Sequence, residues 1–348
     1  MTARHAIPLV LAIVTGCATF QEGRVDFGVP DDQYFVTDRG RMYVLDRGEG
    51  PAVLLVHGYG SSHDVYLGLI DELVETGHRV LAVDLPGFGR SDRLPGDYTP
   101  AGLASLLATL LDDRGIDRAD VVAHSWGCSI ALRLALDHRD RVNRLVLTSA
   151  WVYEEQVPPF LRWSRARGVG EALFTLFYRE RAADRYEMSW YDPERFVVQD
   201  HIDAVERSLR RPGTVRAALE AARGQRFEEI EARYHEVHAE TLIVWGRQDA
   251  VASLDSGERL EQDLPRSRLV VLERCGHVPM MERADRYNAE VLAFLDPAPA
   301  PAPAPAPVPP PAPAPAPAPE PPHPDPLPVG CLLITSHPPH GGPGPPRE

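Results

Sequence analysis

Ser125 stands at the end of a short apolar segment, in the run Val-Val-Ala-His-Ser-Trp-Gly. Small residues occupy the position two before it, Ala123, and the position two after it, Gly127. This spacing is typical of a sharp turn from a strand into a helix, in which the flanking side chains crowd together. Such a turn exposes the serine hydroxyl and directs the first amides of the helix at the reacting atom. The pattern therefore indicates a nucleophilic serine.

A serine hydroxyl reacts readily only when a histidine accepts its proton and a carboxylate orients that histidine. Asp249 follows the apolar segment 241–245, and His277 follows a second apolar segment at 268–272. Functional side chains gather at the carboxyl ends of parallel strands. We therefore predict that Ser125, Asp249 and His277 meet as a catalytic triad.

A glycine-rich loop adds a further part to this site. The apolar segment 53–56 leads into the sequence His-Gly-Tyr-Gly at 57–60. We expect the backbone amides of Tyr59 and Trp126 to bind the oxyanion that forms when a serine attacks a carbonyl carbon. Another apolar strand is followed by Asp84 and a loop that contains two glycines.

In this order and spacing, the five segments resemble the α/β-hydrolase superfamily, specifically its single-domain branch with a helical cap. The resemblance spans about residues 33–295. It implies the roles already given to the triad and to the amides of Tyr59 and Trp126. It also implies an α/β fold with a mostly parallel central sheet, helices on both faces and a helical cap insertion.

The sequence departs from the family pattern beside the serine. Ala123 replaces the usual first glycine, and Cys128 stands where a second small residue often follows Gly127. Neither change removes a catalytic group, although either one is expected to tilt the turn and lower the rate. Because residue 125 is Ser and not Asp, the epoxide hydrolase and haloalkane dehalogenase branches, which form an alkyl ester on aspartate, are disfavoured.

Four other polar residues near these segments are predicted to have structural roles. The resemblance implies that His57 and His124 support the site without taking part in the chemistry. Asp84 and Glu282 are expected to anchor loops and helices.

The first residues are predicted to carry targeting information. Arg4 and His5 precede an apolar run at 6–14, which is too short to span a bilayer and is typical of a signal peptide. The following Val-Thr-Gly-Cys sequence resembles the bacterial lipobox. We therefore predict that residues 1–16 are removed and that Cys17 is lipidated.

Lipidation would make residues 17–32 an anchor and tether and would hold the protein to a membrane of the cell envelope. Ala18, in place of an aspartate after the cysteine, favours the outer membrane if the host has one. The alternative is an ordinary secretory signal cut near Ala18, which would give a secreted or periplasmic protein.

The C-terminal region has a different composition. Proline and alanine alternate over 297–328, and proline's fixed φ and missing N–H favour a stiff polyproline II rod, on the order of 100 Å long. A plain spacer and a rod that contacts the cell wall or an envelope partner both fit this composition. Residues 329–348 are predicted to be disordered.

Charge and cysteine content exclude other classes of function. The chain has 36 basic and 50 acidic residues, a net charge of −14, which argues against a nucleic-acid partner. The spacing of Cys17, Cys128, Cys275 and Cys331 resembles no zinc site, and we predict no metal or cofactor. A disulfide between Cys128 and Cys275 and a pair of buried thiols are both compatible with the sequence.

Strands that alternate with helical stretches predict a parallel sheet covered on both faces. The hydrolase core is expected to comprise 33–150 and 241–296, beginning with an antiparallel hairpin of strands 34–37 and 41–45 that turns at residues 39–40. Between the two parts, 151–240 is predicted to be the helical cap. The predicted core helices are 64–76, 101–114, 126–137, 254–263 and 283–295.

The predicted cap is rich in large aromatic side chains, and their helical spacing predicts that most form the core of the cap. The remainder are expected to wall an apolar pocket above Ser125 that accepts a small-molecule substrate. These aromatic residues are Trp151, Tyr153, Phe160, Trp163, Phe174, Phe177, Tyr178, Tyr186, Trp190 and Tyr191.

The sequence thus predicts a membrane-anchored serine hydrolase of small or medium, apolar carboxylic esters that works through an acyl-enzyme. Carbon-carbon bond hydrolases, perhydrolases and proline iminopeptidases use the same triad and remain alternatives. A hydrolase fold without activity, acting as a binding or scaffold lipoprotein of the envelope, is an alternative of another class.

Overall fold

The computed structural model describes residues 26–37, 40–178 and 182–295. The predicted signal peptide, Cys17, much of the tether, the Pro-Ala segment and the C-terminal tail lie outside these ranges. Residue 39 of the predicted hairpin turn lies outside them as well.

Eight strands make up one sheet in the described residues. They are β1 Tyr34–Thr37, β2 Gly40–Arg47, β3 Ala52–Val56, β4 Arg79–Val83, β5 Ala119–His124, β6 Val142–Thr148, β7 Glu240–Gly246 and β8 Ser267–Leu272. Their order in the sheet is β1-β2-β4-β3-β5-β6-β7-β8. The pairs β1–β2 and β2–β4 are antiparallel, and the other neighbours are parallel.

The helices fall into a core set and a cap set. The core helices are α1 Leu67–Glu75, α2 Pro100–Asp113, α3 Trp126–Asp137, α11 Leu254–Asp263, α12 Pro279–Glu282 and α13 Ala284–Leu295. The cap helices are α4 Pro159–Ser164, α5 Val169–Phe177, α6 Ala182–Glu187, α7 Pro193–Phe196, α8 Gln199–Arg210, α9 Thr214–Gly224 and α10 Glu228–Glu231. None of the helices in the described ranges combines the length and the apolar composition needed to cross a bilayer.

The central strands are apolar throughout because both of their faces are covered. In β3, Leu54 and Val56 pack with residues of α2 and α3 on one face of the sheet. Val53 and Leu55 pack with residues of α1 and α13 on the other face. This alternation follows from the two-residue period of a strand and explains why the parallel strands read as continuous apolar runs.

Local signals set several of the element boundaries. Thr99 caps α2, since its hydroxyl accepts a hydrogen bond from the Gly102 amide at 3.1 Å, and Pro100 occupies the first helical position. The helices α3 and α11 have the predicted bounds. The helix predicted at 64–76 instead begins with a 3-10 turn at His63–Tyr66 before α1.

Candidate active site

Ser125 lies in a strained turn between β5 and α3. Its φ of 52° and ψ of −123° fall in a region that L-residues rarely adopt. A Cβ atom at Gly127 would lie 2.6 Å from the carbonyl oxygens of both Val56 and His57, which explains the glycine at this position. Ala123, two residues before the serine, is fully buried and is accommodated with its methyl group.

The three residues predicted as a triad meet at the carboxyl ends of their strands. Ser125 Oγ lies 3.0 Å from His277 Nε2, and His277 Nδ1 lies 2.8 Å from Asp249 Oδ2. Ser125 and His277 are each 6% exposed. In this arrangement Nδ1 carries the proton that it donates to the carboxylate, so Nε2 can accept the serine proton.

Asp249 is held by the backbone as well as by the histidine. Its Oδ1 accepts hydrogen bonds from the amides of Val251 and Ala252, both at 2.8 Å. Burial alone would raise the pKa of Asp249, but the charge of His277 and the hydrogen bonds hold that pKa below its ordinary value. The carboxylate therefore stays ionised and stabilises the imidazolium that forms during the reaction.

The glycine-rich loop after β3 approaches the nucleophile closely. A Cβ atom at Gly58 would lie only 2.9 Å from the Ser125 Cβ, so the next residue, Tyr59, is close to the serine. Trp126 is the first residue of α3, and the amide of a first helical residue has no partner within the helix. The two amides predicted to bind an oxyanion therefore come from elements that flank Ser125.

The sequence and fold of this chain are similar to those of known proteins. Residues 51–284 match the family model described as the alpha/beta hydrolase fold. The chain belongs to the α/β-hydrolase family.

Curated relatives of this α/β hydrolase include the 2-hydroxy-6-oxononadienedioate/2-hydroxy-6-oxononatrienedioate hydrolase of Burkholderia vietnamiensis. The two sequences are 30% identical over 267 residues, which cover 73% of this chain and 91% of the relative.

Two solved structures illustrate the range of similar enzymes. A meta-cleavage product hydrolase from Pseudomonas fluorescens IP01 superposes with a TM-score of 0.63 and is 26% identical, covering 75% of this chain and 96% of its own. A thermophilic esterase from Thermogutta terrifontis superposes with a TM-score of 0.62 and is 25% identical, covering 75% of this chain and 97% of its own.

His57 and His124 support the site of this α/β hydrolase through the backbone. His57 Nε2 accepts from the Leu85 amide at 2.9 Å, and its Nδ1 lies 2.7 Å from the Gly58 carbonyl oxygen. His124 Nε2 donates to the His277 carbonyl oxygen at 2.7 Å. Burial lowers the pKa of His57 and lowers that of His124 to about 3, so both rings are neutral near pH 7. These contacts fit the structural roles that the resemblance implied.

Aromatic side chains surround the nucleophile. The Tyr59 ring lies 6.0 Å from the Trp126 ring, 5.6 Å from Phe88 and 6.5 Å from Tyr178 of the cap, all edge to face. The glycine-rich loop after β3 and the cap thus share one apolar wall. Tyr178 packs against the loop beside Ser125, and the predicted aromatic wall of a substrate pocket stays a prediction.

The prediction that most cap aromatics form its core is only partly correct. Tyr153, Phe174, Tyr178 and Trp190 are buried. Trp151, Phe160 and Tyr186 are half-buried, while Trp163, Phe177 and Tyr191 are 64%, 54% and 44% exposed. In α5, for example, Phe174 is buried while Phe177 is exposed.

Cys128 and Cys275 are free, buried thiols, which decides between the two alternatives left open by the sequence. Burial raises the pKa of both thiols, so neither is a reactive thiolate near neutral pH. In the described ranges, no group of three or more His, Cys, Asp or Glu side chains has the arrangement of a metal site.

A cavity of about 480 Å³ opens at the amino ends of the strands, opposite the end that carries the triad. It is lined by residues at the amino ends of β6 and β7, such as Val142 and Glu240. Because the triad lies at the carboxyl ends of the strands, this cavity is separate from the candidate active site.

Sequence inspection missed a buried arginine that joins the cap to the core. Arg93 Nε donates to Thr214 Oγ1 of α9 at 2.9 Å, and its terminal nitrogens donate to the carbonyl oxygens of Ser91 and Gly89 at 3.0 and 2.9 Å. Burial lowers its pKa to about 10, which leaves it charged at neutral pH. Arg93 follows Arg90, Ser91 and Asp92 in a polar loop sequence, and nothing in that sequence distinguishes a buried arginine from an exposed one.

Proposed function

We propose that this α/β hydrolase cleaves the carbon-carbon bond next to a ketone carbonyl, with a conjugated carbon leaving group. The observation that carries the proposal is the hydrogen-bonded triad of Ser125, His277 and Asp249. The names of the curated relatives, which are hydrolases of 2-hydroxy-6-oxo dienoates, favour carbon over oxygen as the leaving atom. This revises the interpretation from the sequence, which put ester hydrolysis first.

In the proposed reaction, Ser125 Oγ attacks the ketone carbon while His277 Nε2 takes the hydroxyl proton. The negative charge on the former carbonyl oxygen is stabilised by the amides of Tyr59 and Trp126. Collapse of this intermediate breaks the carbon-carbon bond, and the departing carbon takes the proton from His277. Water then attacks the acyl-enzyme, with His277 again as the base, and releases the carboxylic acid and free Ser125.

Two residues whose backbones adjoin Ser125 carry buried indole N–H groups that a substrate with polar acceptors would satisfy if it reached them. The Nε1 atoms of Trp126 and Trp151 are buried, and neither has a hydrogen-bond partner among the described residues. Trp126 follows Ser125 directly, and the Trp151 amide donates to the Ser125 carbonyl oxygen at 3.1 Å. A buried donor left without an acceptor costs about 1–3 kcal/mol. A carboxylate or enol oxygen of the substrate would satisfy such donors.

Hydrolysis of small or medium apolar esters is the second candidate. The same attack on an ester carbonyl expels an alkoxide, and the aromatic wall formed by Tyr59, Phe88 and Tyr178 suits an apolar acyl group. The similarity to the Thermogutta terrifontis esterase also supports this candidate.

A direct comparison of substrates tests the proposal. The purified protein is assayed with 2-hydroxy-6-oxo-6-phenylhexa-2,4-dienoate, whose cleavage removes its conjugated chromophore, and with p-nitrophenyl acetate and butyrate. We expect kcat/KM for the dienoate to exceed that for the esters by at least about tenfold. Ser125→Ala should lower turnover of every substrate by about 10⁴-fold or more, since removal of a triad serine has effects of this size or larger.

Ser129→Ala is the matched control, because Ser129 lies in the same helix and its hydroxyl donates to the Trp126 carbonyl oxygen one turn earlier. Faster hydrolysis of the esters would support the second candidate instead. If no substrate turns over and a fluorophosphonate does not label Ser125, the protein is not a serine hydrolase. The inactive binding or scaffold protein would then replace both candidates.

A further inference from the structure

A short segment of the cap contacts the loop that carries His277. The His277 amide donates to the carbonyl oxygen of Ser189 at 2.7 Å. Ser189, Trp190 and Tyr191 lie between α6 and α7, and we call these three residues the cap strap. The backbone of the catalytic base is therefore hydrogen-bonded to the cap and not only to the core.

A buried carboxylate bridges the same two segments. Glu282 Oε1 accepts from the Gly276 amide at 2.8 Å, and its Oε2 accepts from the Tyr191 amide at 2.9 Å. Glu282 is 5% exposed. One side chain on α12 thus holds the residue before His277 with one oxygen and the cap strap with the other.

The strap and the loop also approach each other as closely as backbones allow. A Cβ atom at Gly276 would lie 2.7 Å from the Ser189 carbonyl oxygen, 2.8 Å from the Tyr191 amide nitrogen and 2.9 Å from Glu282 Oε1. Trp190 is buried in the same apolar cluster as Cys275 and Val278, which lie on either side of the loop. Polar and apolar contacts therefore hold the strap in one position against the loop.

Because the triad is buried, the contact between the cap strap and the His277 loop can affect catalysis. Ser125 and His277 are each only 6% exposed, and the strap that bonds to the His277 amide belongs to the cap, so a displacement of this part of the cap would act on the triad. Displacement of the strap would break the bond to the His277 amide and one half of the Glu282 bridge. The His277 ring would then lose the support that keeps its Nε2 within 3.0 Å of Ser125 Oγ.

We propose that Glu282 is a positioning residue that couples the seating of the cap strap to the orientation of His277. The base is aligned with Ser125 when the strap is seated and loosened when the strap is displaced. The substrate therefore meets an aligned triad only after the cap has closed over it. This proposal rests on the role of the triad in the proposed function, but not on the identity of the leaving group.

Substitution of Glu282 tests the coupling. Glu282→Ala removes both acceptors, and Glu282→Gln keeps the volume and one acceptor oxygen. Small displacements of a catalytic group cost on the order of 100-fold in rate, so we expect Glu282→Ala to lower kcat by about 10- to 100-fold with KM changed less than about threefold. Glu282→Gln should fall between Glu282→Ala and the wild type, as a partial rescue. Glu187→Gln, at an exposed glutamate of the cap just before the strap, is the matched control and should leave kcat unchanged.

Gly276→Ala disturbs the same contact from the side of the loop, because the added methyl group would collide with the Ser189 carbonyl oxygen, the Tyr191 amide and Glu282 Oε1. Its effect on kcat should be less than additive with that of Glu282→Gln, since both substitutions act on one contact. The rate of Ser125 labelling by a fluorophosphonate is measured in parallel and should fall with kcat in each variant. This rate requires the triad but no particular substrate, so a wrong substrate class is distinguished from a wrong positioning role.

Unchanged labelling and kcat in both Glu282 variants would overturn the proposal. Additive effects with Gly276→Ala, or a loss in Glu187→Gln equal to that in Glu282→Gln, would overturn it as well. If Glu282→Ala does not fold, Glu282→Gln and Gly276→Ala still decide the question. Retained labelling in Ser125→Ala would reject the triad and the coupling together.

Discussion

At the scale of single residues, the orientation of Asp249 determines which nitrogen of His277 carries the proton. Its Oδ1 is held by the amides of Val251 and Ala252, which leaves Oδ2 to accept from His277 Nδ1. The backbone donors thereby prevent the carboxylate from rotating. The Nε2 lone pair is directed at Ser125 as a result.

Asp249→Asn should lower kcat by about 10⁴-fold, the loss seen when the same change is made in a serine protease triad. Asparagine would keep its oxygen against the two backbone amides and turn its NH₂ group to His277. That group can only donate to Nδ1, so the proton would move to Nε2, which then cannot accept the serine proton. The measurement is kcat for the best substrate at neutral pH, with Asp255→Asn, an exposed residue at the start of α11, as the control.

A loss of less than about tenfold in Asp249→Asn would be inconsistent with this tautomer mechanism, since the wrong tautomer removes the base. An equal loss in Asp255→Asn would point to a general effect of charge.

At the scale of elements, a buried ion pair holds the loop after β4 against the turn that precedes α1. Asp84 Oδ1 accepts from the His63 amide at 2.7 Å and from His63 Nδ1 at 2.8 Å. Its Oδ2 accepts from the Arg90 amide at 2.7 Å. These contacts agree with the predicted anchoring role of Asp84, and they fix the loop that contributes Phe88 to the aromatic wall.

The pair makes stability depend on pH. Burial opposes the charged form of His63, but the hydrogen bond and charge of Asp84, with a smaller effect of Asp64, raise the pKa of His63 above 6.5 in spite of Arg90 nearby. Burial would likewise raise the pKa of Asp84, yet His63 holds it below 3.8. The contribution of His63 is therefore complete below about pH 6.5 and is lost as the pH rises through its folded-state pKa. The contribution of Asp84 is lost only as the pH falls below about 4.

His63→Gln should lower the free energy of unfolding by about 1–3 kcal/mol at pH 6, because a hydrogen bond to a charged group is weakened. The difference from the wild type should shrink as the pH rises from 6 to 9. Urea unfolding at several pH values measures this change, and His235→Gln, at an exposed histidine, is the control. A difference that stays constant or grows with pH would contradict the assigned protonation of the pair.

At the scale of the whole molecule, we propose that a lipid on Cys17 attaches this hydrolase to the cell envelope. The described chain begins at residue 26, and Phe27 lies against the cap, with its ring 4.7 Å from the guanidinium carbon of Arg211. The ten residues from Cys17 to Phe27 span at most about 35 Å. The anchor would therefore keep the catalytic domain near the membrane surface.

Cys17→Ser should abolish the acyl mass and the cleavage before residue 17, while kcat on small substrates stays within about twofold of the wild type. Activity is expected to persist because Ser125, His277 and Asp249 bond to one another within the hydrolase fold. Intact mass spectrometry of membrane fractions from a bacterial host measures lipidation, and Cys331→Ser is the matched control that should keep the acyl mass. Wild-type protein without acyl mass on Cys17 would reject the anchor in favour of ordinary secretion.

The sequence by itself determined the elements and the residues that gather at the ends of the strands. Apolar runs identified β3, β4, β5 and β7 because strands buried on both faces need apolar side chains throughout, and the run at 268–272 identified the half-buried edge strand β8. The small residues beside Ser125 indicated the strained turn, since any larger side chain at Gly127 would collide with the backbone of β3. These features are local, so a single sequence is enough to reveal them.

Only the tertiary structure decided how the cap meets the triad. Glu282 and Tyr191 are 91 positions apart in the chain, and the contact of His277 with Ser189 joins two backbone groups that every residue possesses. Contacts of this kind give no recognisable pattern of residue types in the sequence. Burial of the cap aromatics was likewise set by packing between helices, because a helical spacing shows which side chains share a face but not what covers that face. The sequence therefore reveals the catalytic groups, and the fold determines which contacts orient them.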